Sequence, residues 1–232
     1  VFIPDSINEY LANSAAYGEE DDWKFQISTN RFQTSRRLLN RFQFFALTKK
    51  NQYQSWQDST FKMRSALIST ETDTALKSAG LGMRGVCKLY AGNDLNLASG
   101  PAVGKGKAFT DWIKREVDRK AAAIEMETAG VYDAALIPTS APRTIAIRGI
   151  SDYADARKEK IETTAEGMFR ELSAKNAVSL FVHAVKAGLF EAEDSNAVTS
   201  SAVSDPERLG SWARSVFVIG GETGETTDVD AE

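Results

Sequence analysis

Histidine and cysteine are nearly missing from this chain, and each scarcity closes a class of chemistry. His183 is the only histidine among 232 residues. It lies in an apolar, helix-like stretch where a structural role is the simpler reading, so a triad built on an imidazole base is nearly excluded. Cys87 is the only cysteine. No internal disulfide can form from it, which fits a reducing, cytoplasmic setting. Its surroundings, Val86-Cys87-Lys88-Leu89, are strand-like and suit packing better than nucleophilic attack. With no Cys/His cluster, no structural zinc site or other metal is expected. Positive charge is also in deficit: 28 Lys and Arg stand against 32 Asp and Glu, a net charge of -4. A nucleic-acid groove would need a basic stripe, so no nucleic-acid partner is expected. No apolar run is long enough to span a bilayer, and no stretch reads as a signal peptide, so no membrane partner is expected. Acid–base chemistry must come from carboxylates, lysine or tyrosine.

What is present is enough apolar residue, 42% of the chain, for one core. Val1-Phe2-Ile3-Pro4 reads as a buried strand, and Ser6 as the cap of a short helix through Tyr10 and Leu11. Residues 17–24 read as an exposed acidic loop. Phe32 to Leu47 and Trp56 to Ala79 are helix-prone, with Gly80 as a stop. Val86 to Ala91 and Leu97 to Gly100 read as strands. Phe109 to Val117 reads as an amphipathic helix. Ala121 to Ile124 is strand-like and runs into a helix, Met126 to Leu136. Thr144 to Ile147 is a buried strand. A long helix is expected over about Ala165 to Ala187, with Phe169, Leu172, Ala177, Leu180 and Phe181 at helical spacing. Strands alternating with helices predict an α/β fold with a mixed, largely parallel sheet flanked by helices. Such sheets bind ligands beyond the carboxyl ends of their strands.

Two acidic motifs sit at such ends. The first is Ile124-Glu125-Met126-Glu127-Thr128-Ala129-Gly130 and the second Arg148-Gly149-Ile150-Ser151-Asp152-Tyr153-Ala154-Asp155. Asp152 follows an apolar run, where partial burial would favour a protonated carboxyl able to hand a proton to a leaving group. It could equally cap the next helix, as could Ser151 and Asp155. Glu127 opens a helix, where the macrodipole stabilises a carboxylate. Its two oxygens would also suit a pair of sugar hydroxyls. Gly149 frees the backbone to turn or to approach a ligand. On the residues alone, cap and site both remain open.

Together and in this order, the two motifs resemble the C-terminal half of the nucleoside phosphorylase and nucleosidase superfamily. That group includes purine and uridine phosphorylases and methylthioadenosine/S-adenosylhomocysteine nucleosidases. Ala98-Ser99-Gly100-Pro101, Lys158 and Lys175-Asn176-Ala177 add support, and the likeness is strongest from Ala98 to Phe190. It implies a nucleoside-phosphorylase-like fold, here apparently lacking its N-terminal part. It implies that Glu127, with Glu125 beside it, holds the ribose hydroxyls and that Met126 packs under the sugar. Asp152 would protonate or hydrogen-bond N7 of a departing purine, with Ser151 and Arg148 positioning it. The substrate would be a small-molecule nucleoside or nucleotide, cut at its N-glycosidic bond. No cofactor is implied, but inorganic phosphate would be a co-substrate if the reaction is phosphorolysis. A homo-oligomer is expected.

Two departures from the family pattern bear on this reading. The glycine-rich phosphate loop and the water-activating glutamate have no counterpart, Glu9 and Glu19 being the nearest acids by position. Nucleosidases of the group carry an aromatic after the Ser-Gly pair, where this chain has Pro101-Ala102-Val103-Gly104. Phosphorolysis, hydrolysis and nucleotide binding without turnover all stay open. The domain expectation is residues 1–190 for this unit, incomplete at its start. A Ser-, Ala- and Asp-rich linker follows over 191–208. Residues 209–232, with Val216 to Gly221 as a strand, read as the start of a second nucleotide-binding domain. Further domains upstream and downstream would make the unit a nucleotide-depleting effector in a larger defence protein.

Overall fold

The computed structural model describes residues 1–12, 15–17, 24–81, 86–102, 106–137, 142–191 and 215–220. Among them the chain is a mixed α/β structure with eight α-helices and two four-stranded mixed sheets. The first sheet has the order β10 (Ser215–Gly220), β9 (Arg143–Arg148), β1 (Phe2–Ile3) and β6 (Tyr90–Ala91). The second has the order β5 (Asn30–Gln33), β2 (Ser6–Glu9), β7 (Asn96–Ser99) and β8 (Ala121–Glu125). A separate pair, β3 (Ala15–Tyr17) and β4 (Lys24–Gln26), is antiparallel. Of the seven strand pairings among the described residues, four are parallel: β1 with β6, β9 with β10, β2 with β7, and β7 with β8.

Side chains alternate across β9, as a pleated strand requires. Ile145 and Ile147 join Ile3, Leu39, Phe42, Phe45, Trp56 and Leu180 in the largest core cluster. Ala146 points the other way and meets Phe2, Ile7, Phe32, Leu97 and Tyr132. Each large apolar side chain buried in this way contributes about 1.5–3 kcal/mol. The helices covering the first face are α1 (Arg36–Gln43), α2 (Phe45–Thr48), α3 (Lys50–Leu67) and α8 (Met168–Lys186). Trp56 of α3 is fully buried, and its indole N–H donates to the Asn176 carbonyl of α8 at 3.3 Å. The helices between Arg36 and Ser78 thus supply core.

Several local expectations give way to tertiary context. Ser6 caps no helix: Ser6–Glu9 is a strand, because fully buried Ile7 pairs between β5 and β7. The helix foreseen from Phe32 begins at Arg36, since Asn30–Gln33 is drawn into the sheet edge. The Trp56–Ala79 helix divides at Ile68, and Ser69 caps α4 (Thr70–Ser78) by accepting from Thr72 N–H at 3.1 Å. The long helix expected over about Ala165 to Ala187 does form, as α8, and a separate helix, α7 (Arg157–Ala165), precedes it. Glu166 and Gly167 between them take φ of 47° and 75°, a left-handed step that no continuous helix accommodates. Tyr17 and Lys24 are strand residues, and the acidic residues 18–23 lie outside the described set. The expected strand near Val216 does form, running parallel along all six residues of β9. The linker expected from 191 falls outside the described residues after Glu191. Among the described residues no helix is long and apolar enough to cross a membrane.

Candidate functional site

The first acidic motif leads from a strand into a helix whose start needs an acceptor. The backbone N–H groups at the start of an α-helix have no partner of their own. At the start of α6 (Thr128–Leu136), that partner is the Glu125 side chain at the end of β8. One oxygen accepts from Glu127 N–H at 3.0 Å, and both accept from Thr128 N–H at 3.2 and 3.0 Å. Ser99, opposite Glu125 on β7, accepts from Ala129 N–H at 2.9 Å. Five residues from two adjacent strand ends and one helix start are therefore stitched together.

Arg148 closes this cluster from the end of β9. Its Nη2 lies 3.3 Å from a carboxylate oxygen of Glu125 and 3.3 Å from one of Glu127. The Arg148 and Glu125 side chains are 9% and 6% exposed, whereas that of Glu127 is 61% exposed. Burial pushes the Glu125 carboxyl up, but Arg148, Ser99 and the Glu127 N–H outweigh it and hold the group below the usual carboxylate range. Glu127 moves the other way. Its own partial burial and the Glu125 carboxylate beside it raise its pKa, against the pull of Arg148. The pair is thus split into a structural anion, Glu125, and an outward carboxylate, Glu127, whose direction Arg148 sets. Met126 between them is 47% exposed.

The second motif forms a tight turn after β9. Ser151 Oγ donates to Asp152 at 2.9 Å, and Ala154 N–H donates to the other Asp152 oxygen at 2.7 Å. Lys158, on the first turns of α7, places its ammonium 3.8 Å from Asp152 and 3.9 Å from Glu162. Both partners are shielded, with 8% of the lysine side chain and 12% of the aspartate exposed. Asp152 therefore does cap locally, through Ala154, while also facing an open volume. The close approach foreseen at Gly149 is made to the protein itself: a Cβ there would lie 2.0 Å from the Ser173 carbonyl of α8.

A cleft of about 430 Å³ joins the two motifs. Glu125, Arg148, Ser151, Asp152 and Lys158 all line it; Met126 and Glu127 are outside its lining, on the exposed side of Arg148. Arg148 does not contact Asp152; its ion pairs are with Glu125 and Glu127, so Ser151 and Lys158 are the groups that hold the aspartate. The opposite wall comes from α5 (Lys107–Trp112) and the π-helical turn Ile113–Val117, with Lys107, Asp111 and Lys114. Lys107 and Asp111 pair with each other at 2.9 Å. Sequence reasoning passed over this wall, and also Tyr153 and Arg157, because only the fold shows that they face the cleft. Glu9, weighed as a second acid, accepts from Asn30 at 3.0 Å and does not line the cleft; Glu19 lies outside the described residues. Among the described residues no three His, Cys, Asp or Glu side chains gather as a metal site. No protein-family profile, no curated protein and no solved structure matches this chain.

Proposed function

We propose that this chain cleaves the N-glycosidic bond of a purine nucleoside or nucleotide, with Asp152 acting on the leaving base and Glu127 on the ribose. The observation that carries the reading is the cleft itself. It has small-molecule size, and hydrogen-bonded Asp152 and Arg148 share its lining, with Arg148 also contacting the outward Glu127 just beyond it. The nucleoside-phosphorylase-like arrangement belongs to the same proposal, and so does assembly of several copies.

In this reading the outward Glu127 accepts hydrogen bonds from two adjacent hydroxyls, with Arg148 fixing the carboxylate plane. Asp152 meets the base at its N7 edge. As the C–N bond breaks, positive charge grows on the ribosyl carbon and negative charge on the base. A proton moving from Asp152 to the base removes the cost of expelling an anion, an effect typically worth about 10²–10⁴-fold. Lys158 and Ser151 then stabilise the carboxylate that is left. The nucleophile that completes the reaction, water or phosphate, has no assigned activating group.

The test is release of free base from adenosine, inosine or ATP, followed by chromatography with and without inorganic phosphate. Asp152→Asn should lose about 10²–10⁴-fold in rate. Full activity in that variant would remove Asp152 from the chemistry. Dependence on phosphate separates phosphorolysis from hydrolysis.

A further inference from the structure

Tyr153 follows Asp152 directly and takes no part in the steps above. It is 46% exposed and stands on the cleft wall. The Arg157 guanidinium lies over its ring, 3.7 Å from the centroid. Arg157 is fixed in turn by Asp155. Its Nε donates to both carboxylate oxygens at 3.0 Å, and Nη2 donates to one of them at 2.6 Å. Its backbone N–H also reaches Asp155, at 2.9 Å. A forked guanidinium–carboxylate contact sets the plane of the cation and hence of the ring beneath it. The same turn orients Asp152, because Ala154, at φ 51°, donates its N–H to that carboxylate.

A cation–π pair at the start of a helix can be local packing and nothing more. Two features set this one apart. It stands in the wall of the cleft, one residue from Asp152. Among the described lining residues, Tyr153 is also the only aromatic. The guanidinium covers one face of the ring, and 46% of the residue is still exposed. A cation behind a ring draws its electron density back, so the open face favours an electron-rich planar partner.

The geometry points to Tyr153 as the base-stacking platform of this cleft, with Arg157 as its fixed backing and Asp152 at the edge of the stacked base. The inference rests on the reading of the cleft as a base–ribose site, and names the part of it that selects a planar nucleobase. The probe is free adenine, titrated calorimetrically into the full chain, with D-ribose as the sugar control. Tyr153→Leu should weaken adenine binding about tenfold, since stacking on an aromatic accounts for that order of affinity, while Tyr153→Phe should stay within about twofold. Arg157→Gln keeps the ring and should weaken adenine less than Tyr153→Leu does. Ribose binding should not change in any variant. Adenine affinity unaltered in a folded Tyr153→Leu overturns the platform, even if the wild type releases base from nucleosides. Tyr153-dependent adenine binding without any base release keeps the platform and overturns the cleavage reading. No binding of adenine, hypoxanthine or uracil by the wild type overturns both.

Discussion

Replacing Arg148 with methionine tests whether the two acidic motifs form one unit. Arg148→Met keeps much of the length and removes the charge shared by Glu125 and Glu127. Breaking a buried ion pair by removing one partner typically costs about 3–5 kcal/mol, because a charge is left uncompensated. Glu125 would still accept from the Glu127 and Thr128 N–H groups, so the low end, about 3 kcal/mol, is expected. For a chain of this size that corresponds to a fall in Tm of roughly 10 °C. Urea unfolding gives the quantity directly, as a shift in midpoint at constant slope. The pH dependence adds a second signature. Glu125 is held below its ordinary range by the folded state, so its contribution is present above about pH 4.3 and is lost as pH falls through its folded value. The gap between wild type and Arg148→Met should therefore be widest near neutral pH and close in acid. A loss under about 1 kcal/mol at pH 7, or a gap that widens in acid, would refute the claim that Arg148 anchors the site through Glu125.

Glu127 should behave oppositely. Its pKa is raised in the folded protein, so its ionised form works against folding as pH rises above the usual glutamate range. With most of its side chain in solvent, Glu127→Gln should gain only a few tenths of a kcal/mol at pH 7, by urea melts, while losing base release in the proposed reaction. Gly149→Ala inserts a methyl 2.0 Å from the Ser173 carbonyl. It should cost about 2–3 kcal/mol through displacement of α8 or the turn, seen as a lower Tm; a neutral result would mean that the turn is free to move.

The helix that depends on Glu125 shows how much of this site could be read ahead of the structure. An apolar run ending in Glu-Met-Glu announces a strand entering a helix, and β8 and α6 follow that reading to within two residues. Which of the two glutamates turns inward is not written locally. It is decided by Ser99 from β7 and Arg148 from β9, residues 26 and 23 positions away that only strand pairing brings near. Asp152 and Ser151 were legible as a polar turn, and their mutual hydrogen bond is local. The far wall with Lys107 and Lys114 was not, since it carries no motif and faces the cleft only because α5 packs beside β8. Ser6 shows the reverse failure. Its capping preference was sound as local chemistry, but burial of Ile7 between two strands outweighs a cap worth about 1 kcal/mol.

Residue types and their periodicity alone determined that this chain forms a mixed α/β structure, and they turned the proposed acid–base chemistry toward carboxylates, lysine or tyrosine. They did so because helix and strand periods are local properties, and because histidine and cysteine are almost absent. The tertiary structure decided which glutamate is a buried strut, Glu125, and which is turned to solvent, Glu127. That division depends on long-range strand pairing, burial and one arginine between two acids, none of which any short stretch of the chain contains.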